Sequence, residues 1–159
     1  MADLKELLKT WSELMAANKQ RLIELDGMVG DSDLGLTMTD GFRAAYDAVK
    51  DLDERDASKL SYLAGKAMGS AVPSTMGTLM ASGLMYAGKE LKGVETMEGF
   101  MWPKFFRAYF DGVKNRGKAE LGDKTFLDGL YPAVEVLEAH ADDMKTAAPL
   151  AAAAADKAF

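Results

Sequence analysis

The sequence predicts an all-α protein, an antiparallel bundle or barrel of about seven helices. Apolar residues recur at helical spacing along nearly all of the 159 residues. No stretch alternates between apolar and polar residues as a half-buried strand does. Short breaks rich in glycine, proline and small polar residues separate the periodic segments, and none has the composition of a linker between domains. We therefore expect one domain spanning residues 1–159.

The first half of the chain is predicted to hold four helices. The apolar face of the first is formed by Leu4, Leu7, Leu8, Trp11, Leu14, Met15, Asn18, Leu22 and Leu25. The second repeats the pattern at Leu36, Phe42, Ala45, Tyr46 and Val49. Ser58 is expected to cap a third helix, which ends before Pro73 because proline cannot continue a helix. A fourth runs roughly from Met76 to Leu91.

Three further helices are predicted after Gly93, which ends the fourth. The fifth carries an aromatic-rich set that we expect in the core, with Met97, Phe100, Met101, Trp102, Phe105, Phe106, Tyr109, Phe110 and Val113. The sixth begins near Lys124 and runs toward His140. The seventh follows Thr146, where five consecutive alanines supply the highest intrinsic helix propensity.

Composition excludes several classes of function. A formal net charge of −6 argues against a nucleic-acid-binding protein, since that affinity depends on clustered lysine and arginine. The chain contains no cysteine, which excludes disulfides and thiolate chemistry and is compatible with a reducing cytoplasm. Charged residues interrupt the N-terminal apolar positions, so we expect neither a signal peptide nor a membrane span.

The most informative segment is residues 25–35, in which three aspartates and three glycines lie between two predicted helices. Mg²⁺ prefers carboxylate oxygens together with water and substrate phosphates. The glycines are expected to supply positive φ and a close backbone approach, so that Asp26, Asp31 and Asp33 converge on one Mg²⁺. The plain alternative is a polar turn whose aspartate caps the next helix.

A second junction, residues 69–78, precedes the fourth predicted helix. Free N–H groups in the first turn of a helix attract phosphate. Ser74, Thr75 and Thr78 add hydroxyl groups there, and ordinary capping, with Gly77 serving close helix packing, is the alternative. A third junction spans residues 117–125. Lys124 and Thr125 could place a cation near a nucleotide there. The favoured interpretation is that these residues only begin the sixth helix.

Together these junctions resemble a known family. The matching segments are residues 25–38, 76–78, 117–119, 122–128 and 132–134. They resemble the nucleotide-binding L-subunit of dihydroxyacetone (glycerone) kinase, the DAK2-type domain. The resemblance implies a barrel of usually eight helices that holds ATP or ADP at one mouth.

The same resemblance implies roles for individual residues. Mg²⁺ would bridge the phosphates to the three aspartates. The phosphate loop corresponds to residues 70–78, including Met76, and Phe126 would lie toward the nucleobase. Thr37, where the family usually has asparagine, would also bind the nucleotide. Lys124 and Thr125, which directly precede Phe126 in the third junction, would bind the nucleotide as well.

The implied activity is phosphoryl transfer to a small hydroxyketone or related polyol or sugar held by a partner K-subunit. The donor is ATP, or bound ADP that an M-type phosphotransferase-system subunit rephosphorylates. The lone His140 is expected at the surface, which fits a subunit that presents only the nucleotide. An EF-hand Ca²⁺ loop starting at Asp31 is excluded, because Phe42 occupies the position that requires glutamate.

The sequence also departs from the family pattern. Leu34 replaces the usual histidine, Val72-Pro73 replaces a Ser-Gly pair, and the family continues into a final Arg-rich helix beyond the one matching residues 147–159. Either the barrel of this chain lacks the last helix of the family, or that helix lies beyond Phe159. The alternative function is a non-catalytic nucleotide-sensing or partner-binding module, and a plain helical scaffold is the third possibility.

Overall fold

A computed structural model describes residues 3–158. Within that range the chain forms eight α-helices and no strand, which confirms the all-α prediction. The helices are α1 Leu4–Ala17, α2 Lys19–Asp26, α3 Leu34–Asp47, α4 Ala57–Ala71, α5 Thr75–Glu90, α6 Met101–Gly117, α7 Phe126–Ala139 and α8 Met144–Lys157.

The eighth helix arises because the first predicted helix is divided at Asn18. The Asn18 side-chain amide donates to the Leu14 carbonyl at 2.8 Å. Asparagine competes in this way with the helical hydrogen-bond ladder, and Asn18 leaves helical geometry at φ −101° and ψ 7°. The apolar pattern continues across the break, so periodicity could not reveal it.

Two other boundaries differ from the prediction. Asp56, not Ser58, caps α4, because its carboxylate accepts the Ser58 N–H at 2.8 Å. Met97 and Phe100 lie in the connection before α6, which begins at Met101. Met97 is nevertheless buried in the core, whereas Phe100 is 49% exposed.

The helices from α3 to α7 run up and down, each antiparallel to the next. Gly88 near the end of α5 lies against Ser58 near the start of α4, and Gly117 at the end of α6 lies against Leu79 near the start of α5. This topology brings three connections to one end of the bundle, namely residues 27–33, 72–74 and 118–125.

A cluster of aromatic rings forms much of the core. The Trp11 ring of α1 lies 5.5 Å from Phe42 of α3 and 5.8 Å from Tyr109 of α6, measured between centroids. Phe105 and Phe110 are buried with Tyr109, as predicted. Trp102 and Phe106 are only partly buried. Trp11 thus packs α1 against both α3 and α6.

Among residues 3–158, no helix combines the length and apolar character needed to cross a membrane.

Candidate metal centre

The three aspartates come together at the α2–α3 connection. Asp26 ends α2, Asp31 lies in the connection and Asp33 directly precedes α3. Each offers one carboxylate oxygen, and the three oxygens lie within 4.8 Å of one another. Ligand oxygens around one octahedral Mg²⁺ are roughly 3 to 4 Å apart. Small side-chain rotations would therefore fit this donor set to Mg²⁺.

Asp26 also holds the beginning of α3. Its Oδ2 accepts the backbone N–H groups of Asp33 at 3.0 Å and of Leu34 at 3.2 Å. The Asp33 side chain makes no capping hydrogen bond of its own. The alternative prediction of a helix-capping aspartate is therefore correct for Asp26. Its other oxygen, Oδ1, accepts no hydrogen bond from the described residues and remains available to a ligand.

The carboxylates repel one another. Desolvation by the surrounding residues raises the pKa of Asp33, and the charge of Asp31, a hydrogen bond with Asp31 and the charge of Asp26 raise it further. A divalent cation among the three would offset this repulsion. The electrostatics of the cluster therefore suit a cation.

The backbone of this connection differs from the prediction. Ser32, with φ 65°, is the residue in the left-handed region, while Gly27 has φ −61° and Gly30 is not at positive φ. The expectation that the glycines supply positive φ is thus wrong. They supply space instead, since a Cβ on Gly27 would lie 2.6 Å from Ser32 Oγ and one on Gly30 would collide with the Asp26 carboxylate.

The second junction contains the ordinary helix cap that was the alternative prediction for residues 69–78. Ser74 Oγ accepts the Gly77 N–H at 3.0 Å and caps α5. A Cβ on Gly77 would lie 2.6 Å from Val72 Cγ2, so this glycine serves close packing. The other residues predicted to bind phosphate lie in the first turn of α5 and are Thr75, Met76 and Thr78. Their part in phosphate binding stays a prediction.

The third junction begins a helix, as the favoured interpretation held, although α7 starts at Phe126 rather than Lys124. Thr125 Oγ1 accepts the Leu127 N–H at 3.2 Å, and Asp128 accepts the Thr125 N–H at 2.9 Å in return. Asp128 also accepts the Gly122 N–H at 2.6 Å, and these backbone donors lower its pKa.

Sequence reasoning missed Asp128 as the residue that organises this junction. The spacing of Thr125 and Asp128 is that of a capping box and could have identified it.

The remaining predicted nucleotide-binding residues lie near the same end. Lys124 is exposed at φ 58°. Phe126 is 36% exposed, and its ring centroid lies 6.4 Å from that of buried Tyr109. Thr37 lies in the first turn of α3 and is only 8% exposed. Phe126 thus offers more accessible surface to a ligand than Thr37 does.

Comparison with known proteins identifies the class. The DAK2 domain family matches residues 28–159, and the chain belongs to this family. The matched range begins just after Asp26, so the place of Asp26 in the cluster depends on the geometry described above.

Three relatives illustrate which proteins the chain is similar to. The chain is 31% identical over 137 residues to the ADP-binding subunit DhaL of PEP-dependent dihydroxyacetone kinase 1 from Listeria innocua, covering 86% of the chain and 68% of the relative. It is 29% identical to the ADP-binding subunit DhaL of the Escherichia coli PEP-dependent dihydroxyacetone kinase, covering 90% and 68%. A Mycolicibacterium smegmatis L-erythrulose 1-kinase is 30% identical, with 82% of the chain matching 23% of that longer protein.

Proposed function

We propose that this protein is the nucleotide-binding subunit of a dihydroxyacetone-type kinase and holds ATP or ADP through Mg²⁺ at Asp26, Asp31 and Asp33. The observation that carries the proposal is the convergence of three carboxylate oxygens within 4.8 Å in a DAK2 domain. Relatives named as ADP-binding subunits support the nucleotide.

Phosphoryl transfer asks a protein mainly for positioning and for neutralisation of charge. A bound Mg²⁺ would supply the charge that offsets the phosphate oxygens. In this chain Asp26 contributes Oδ1 while its Oδ2 fixes the start of α3. Asp31 and Asp33 are exposed and face the same point. The chain therefore presents the nucleotide from one end of the bundle.

The first turn of α5 is proposed to contact the phosphates. The Gly77 N–H is taken by Ser74, and the Thr78 N–H donates to the Ser74 carbonyl at 2.9 Å. Within the described part of the chain, the N–H groups of Thr75 and Met76 have no acceptor. Such donors at a helix N-terminus suit an anion, and they lie at the same end as the aspartates.

The acceptor alcohol is proposed to be a small hydroxyketone or related polyol held by a separate K-type subunit, with an M-type phosphotransferase-system subunit as a further partner. His140 is exposed at the end of α7, opposite the aspartates. Met28 and Val29, next to the aspartates, are 77% and 95% exposed and provide apolar surface for a partner. We place the reaction in the cytoplasm.

The experiment is a pair of measurements on the full chain. Calorimetry should show that ADP binds tightly with Mg²⁺ and weakly with EDTA. Added to a K-type subunit with dihydroxyacetone, and with ATP or an M-type subunit as donor, the chain should restore phosphoryl transfer. Equal ADP binding with and without Mg²⁺ would contradict the metal assignment.

The second candidate is a nucleotide sensor without transfer activity. The observation that favours it is at the second junction, where Val72 is buried and the Ser74 hydroxyl is already used to cap α5. Mg²⁺-dependent ADP binding without transfer in any pairing of subunits would favour the sensor.

A further inference from the structure

We infer that Gly30 is a positioning residue for the metal site, because it leaves the space occupied by the ligand oxygen of Asp26. The inference rests on the proposed function and names a residue that acts through a carboxylate rather than on the ligand itself.

The two oxygens of Asp26 have different surroundings. Oδ2 is held by the backbone N–H groups of Asp33 and Leu34, which leaves Oδ1 for a cation. The Gly30 N–H donates to the Asp26 carbonyl at 2.6 Å and folds the connection back over the end of α2. A Cβ on Gly30 would collide with Oδ1 and lie 3.1 Å from Asp26 Cγ. Because Gly30 has no side chain, Asp26 Oδ1, the oxygen that does not cap α3, keeps the space that it occupies.

Backbone conformation does not explain this glycine. Gly30 is not in the left-handed region, so a positive φ does not account for the glycine. Gly30 is also exposed. Apart from the Asp26 carboxylate, an added Cβ would make a tight contact of 3.1 Å with the Asp26 carbonyl oxygen, which a shift of a few tenths of an ångström would relieve. The collision with the carboxylate is the more severe of the two and is the main reason for a glycine here.

Alanine at this position should therefore separate metal binding from folding. Small rotations of the Asp26 side chain can move Oδ1 away from a new methyl group while Oδ2 still accepts the N–H groups of Asp33 and Leu34, so the helix cap is kept. That rotation moves the ligand atom, and displacing a group that orients a metal ligand weakens metal affinity by about ten- to a hundredfold. We expect Gly30→Ala to weaken Mn²⁺ binding by that factor and to keep its melting midpoint in EDTA within a few degrees of the parent.

The matched control is Gly99→Ala, in the connection before α6 at the other end of the bundle. A Cβ there meets the Ala141 carbonyl oxygen at 3.4 Å and Met144 Cγ at 3.6 Å, which are ordinary contacts. Gly99→Ala should bind Mn²⁺ as the parent does and melt within a few degrees of it.

The test is a titration of the full-length proteins with Mn²⁺, followed by electron paramagnetic resonance of the free ion, together with melts in EDTA. The double variant Gly30→Ala with Asp26→Asn completes a cycle. If Gly30 acts through the Asp26 carboxylate, the alanine has no further effect once that carboxylate is replaced.

The outcomes are distinguishable. Weakened binding with an unchanged midpoint, together with non-additivity in the cycle, supports the inference. Equal Mn²⁺ affinity of Gly30→Ala and the parent overturns it and leaves the proposed function intact. A large fall in the midpoint, or additive effects in the cycle, also overturns it, because Gly30 would then act on the fold. No saturable Mn²⁺ binding by the parent, with ADP present or absent, overturns the proposed function and this inference with it.

Discussion

The two roles of Asp26 can be separated by comparing Asp26→Ala with Asp26→Asn. Alanine removes both the helix cap and the metal ligand. In the parent, the N–H groups of Asp33 and Leu34 lie 3.0 and 3.2 Å from Asp26 Oδ2, and an asparagine carbonyl can still accept both. The amide is uncharged, however, and replaces the carboxylate that would bind the cation. The two variants should therefore differ in stability and agree in their loss of ligand binding.

The magnitudes follow from the geometry. Losing a helix cap costs about 1 kcal/mol, and a half-buried charged acceptor with two donors brings this to about 1.5 kcal/mol. For a chain of this length that lowers the melting midpoint by about 3 to 6 °C, whereas Asp26→Asn should lose less than about 2 °C. Mg-ADP at a hundred times its dissociation constant should stabilise the parent by about 2.7 kcal/mol, or about 5 to 10 °C.

The assay is thermal unfolding of parent and variants, in EDTA and in Mg-ADP. We expect Asp26→Asn to melt close to the parent in EDTA and to gain little from Mg-ADP. A ligand-induced shift equal to that of the parent would refute the metal role of Asp26. An Asp26→Ala midpoint equal to that of the parent in EDTA would refute the capping role.

Three further predictions concern stability. Ser32→Gly relieves a serine held at φ 65° and should raise the melting midpoint in EDTA by about 2 to 4 °C, corresponding to about 1 kcal/mol; an unchanged midpoint would contradict strain at this residue. Ser74→Ala removes the cap from the Gly77 N–H and should cost about 1 kcal/mol in a denaturant titration, and a change below about 0.3 kcal/mol would contradict it. Arg107 lowers the pKa of Glu138 through paired hydrogen bonds of 2.7 and 2.8 Å. A lowered pKa gives stability above the ordinary glutamate value of 4.5 that is lost as pH falls through the folded pKa. Melts at several pH values should therefore show Glu138→Gln below the parent near neutrality and level with it in acid.

Much of the candidate site was predictable from local sequence. Asp26, Asp31 and Asp33 converge because the intervening segment turns back on itself, and the glycines among them indicated such a turn. The precise backbone was not predictable. Ser32 carries the positive φ, although serine rarely adopts it. Gly30 matters through its neighbour Asp26, and a one-dimensional pattern does not show which side chain fills the space beside a glycine.

Long-range contacts account for most of what the sequence did not reveal. Trp11 joins α1 to α3 and α6 through rings that lie far apart in the chain, and helical periodicity shows only that Trp11 faces inward. The break at Asn18 was hidden because the apolar face continues through it. The ends of the helices could be assigned approximately from the sequence because capping residues act locally, although Asp56 rather than Ser58 caps α4.

The most direct test of the account is a crystal structure of the protein with Mn²⁺ and ADP, read by the anomalous scattering of the metal. We expect one strong peak roughly 2 to 2.3 Å from an oxygen of each of Asp26, Asp31 and Asp33, with the ADP phosphates on its far side. A bound nucleotide whose metal lies elsewhere, with the three carboxylates turned to solvent, would contradict it.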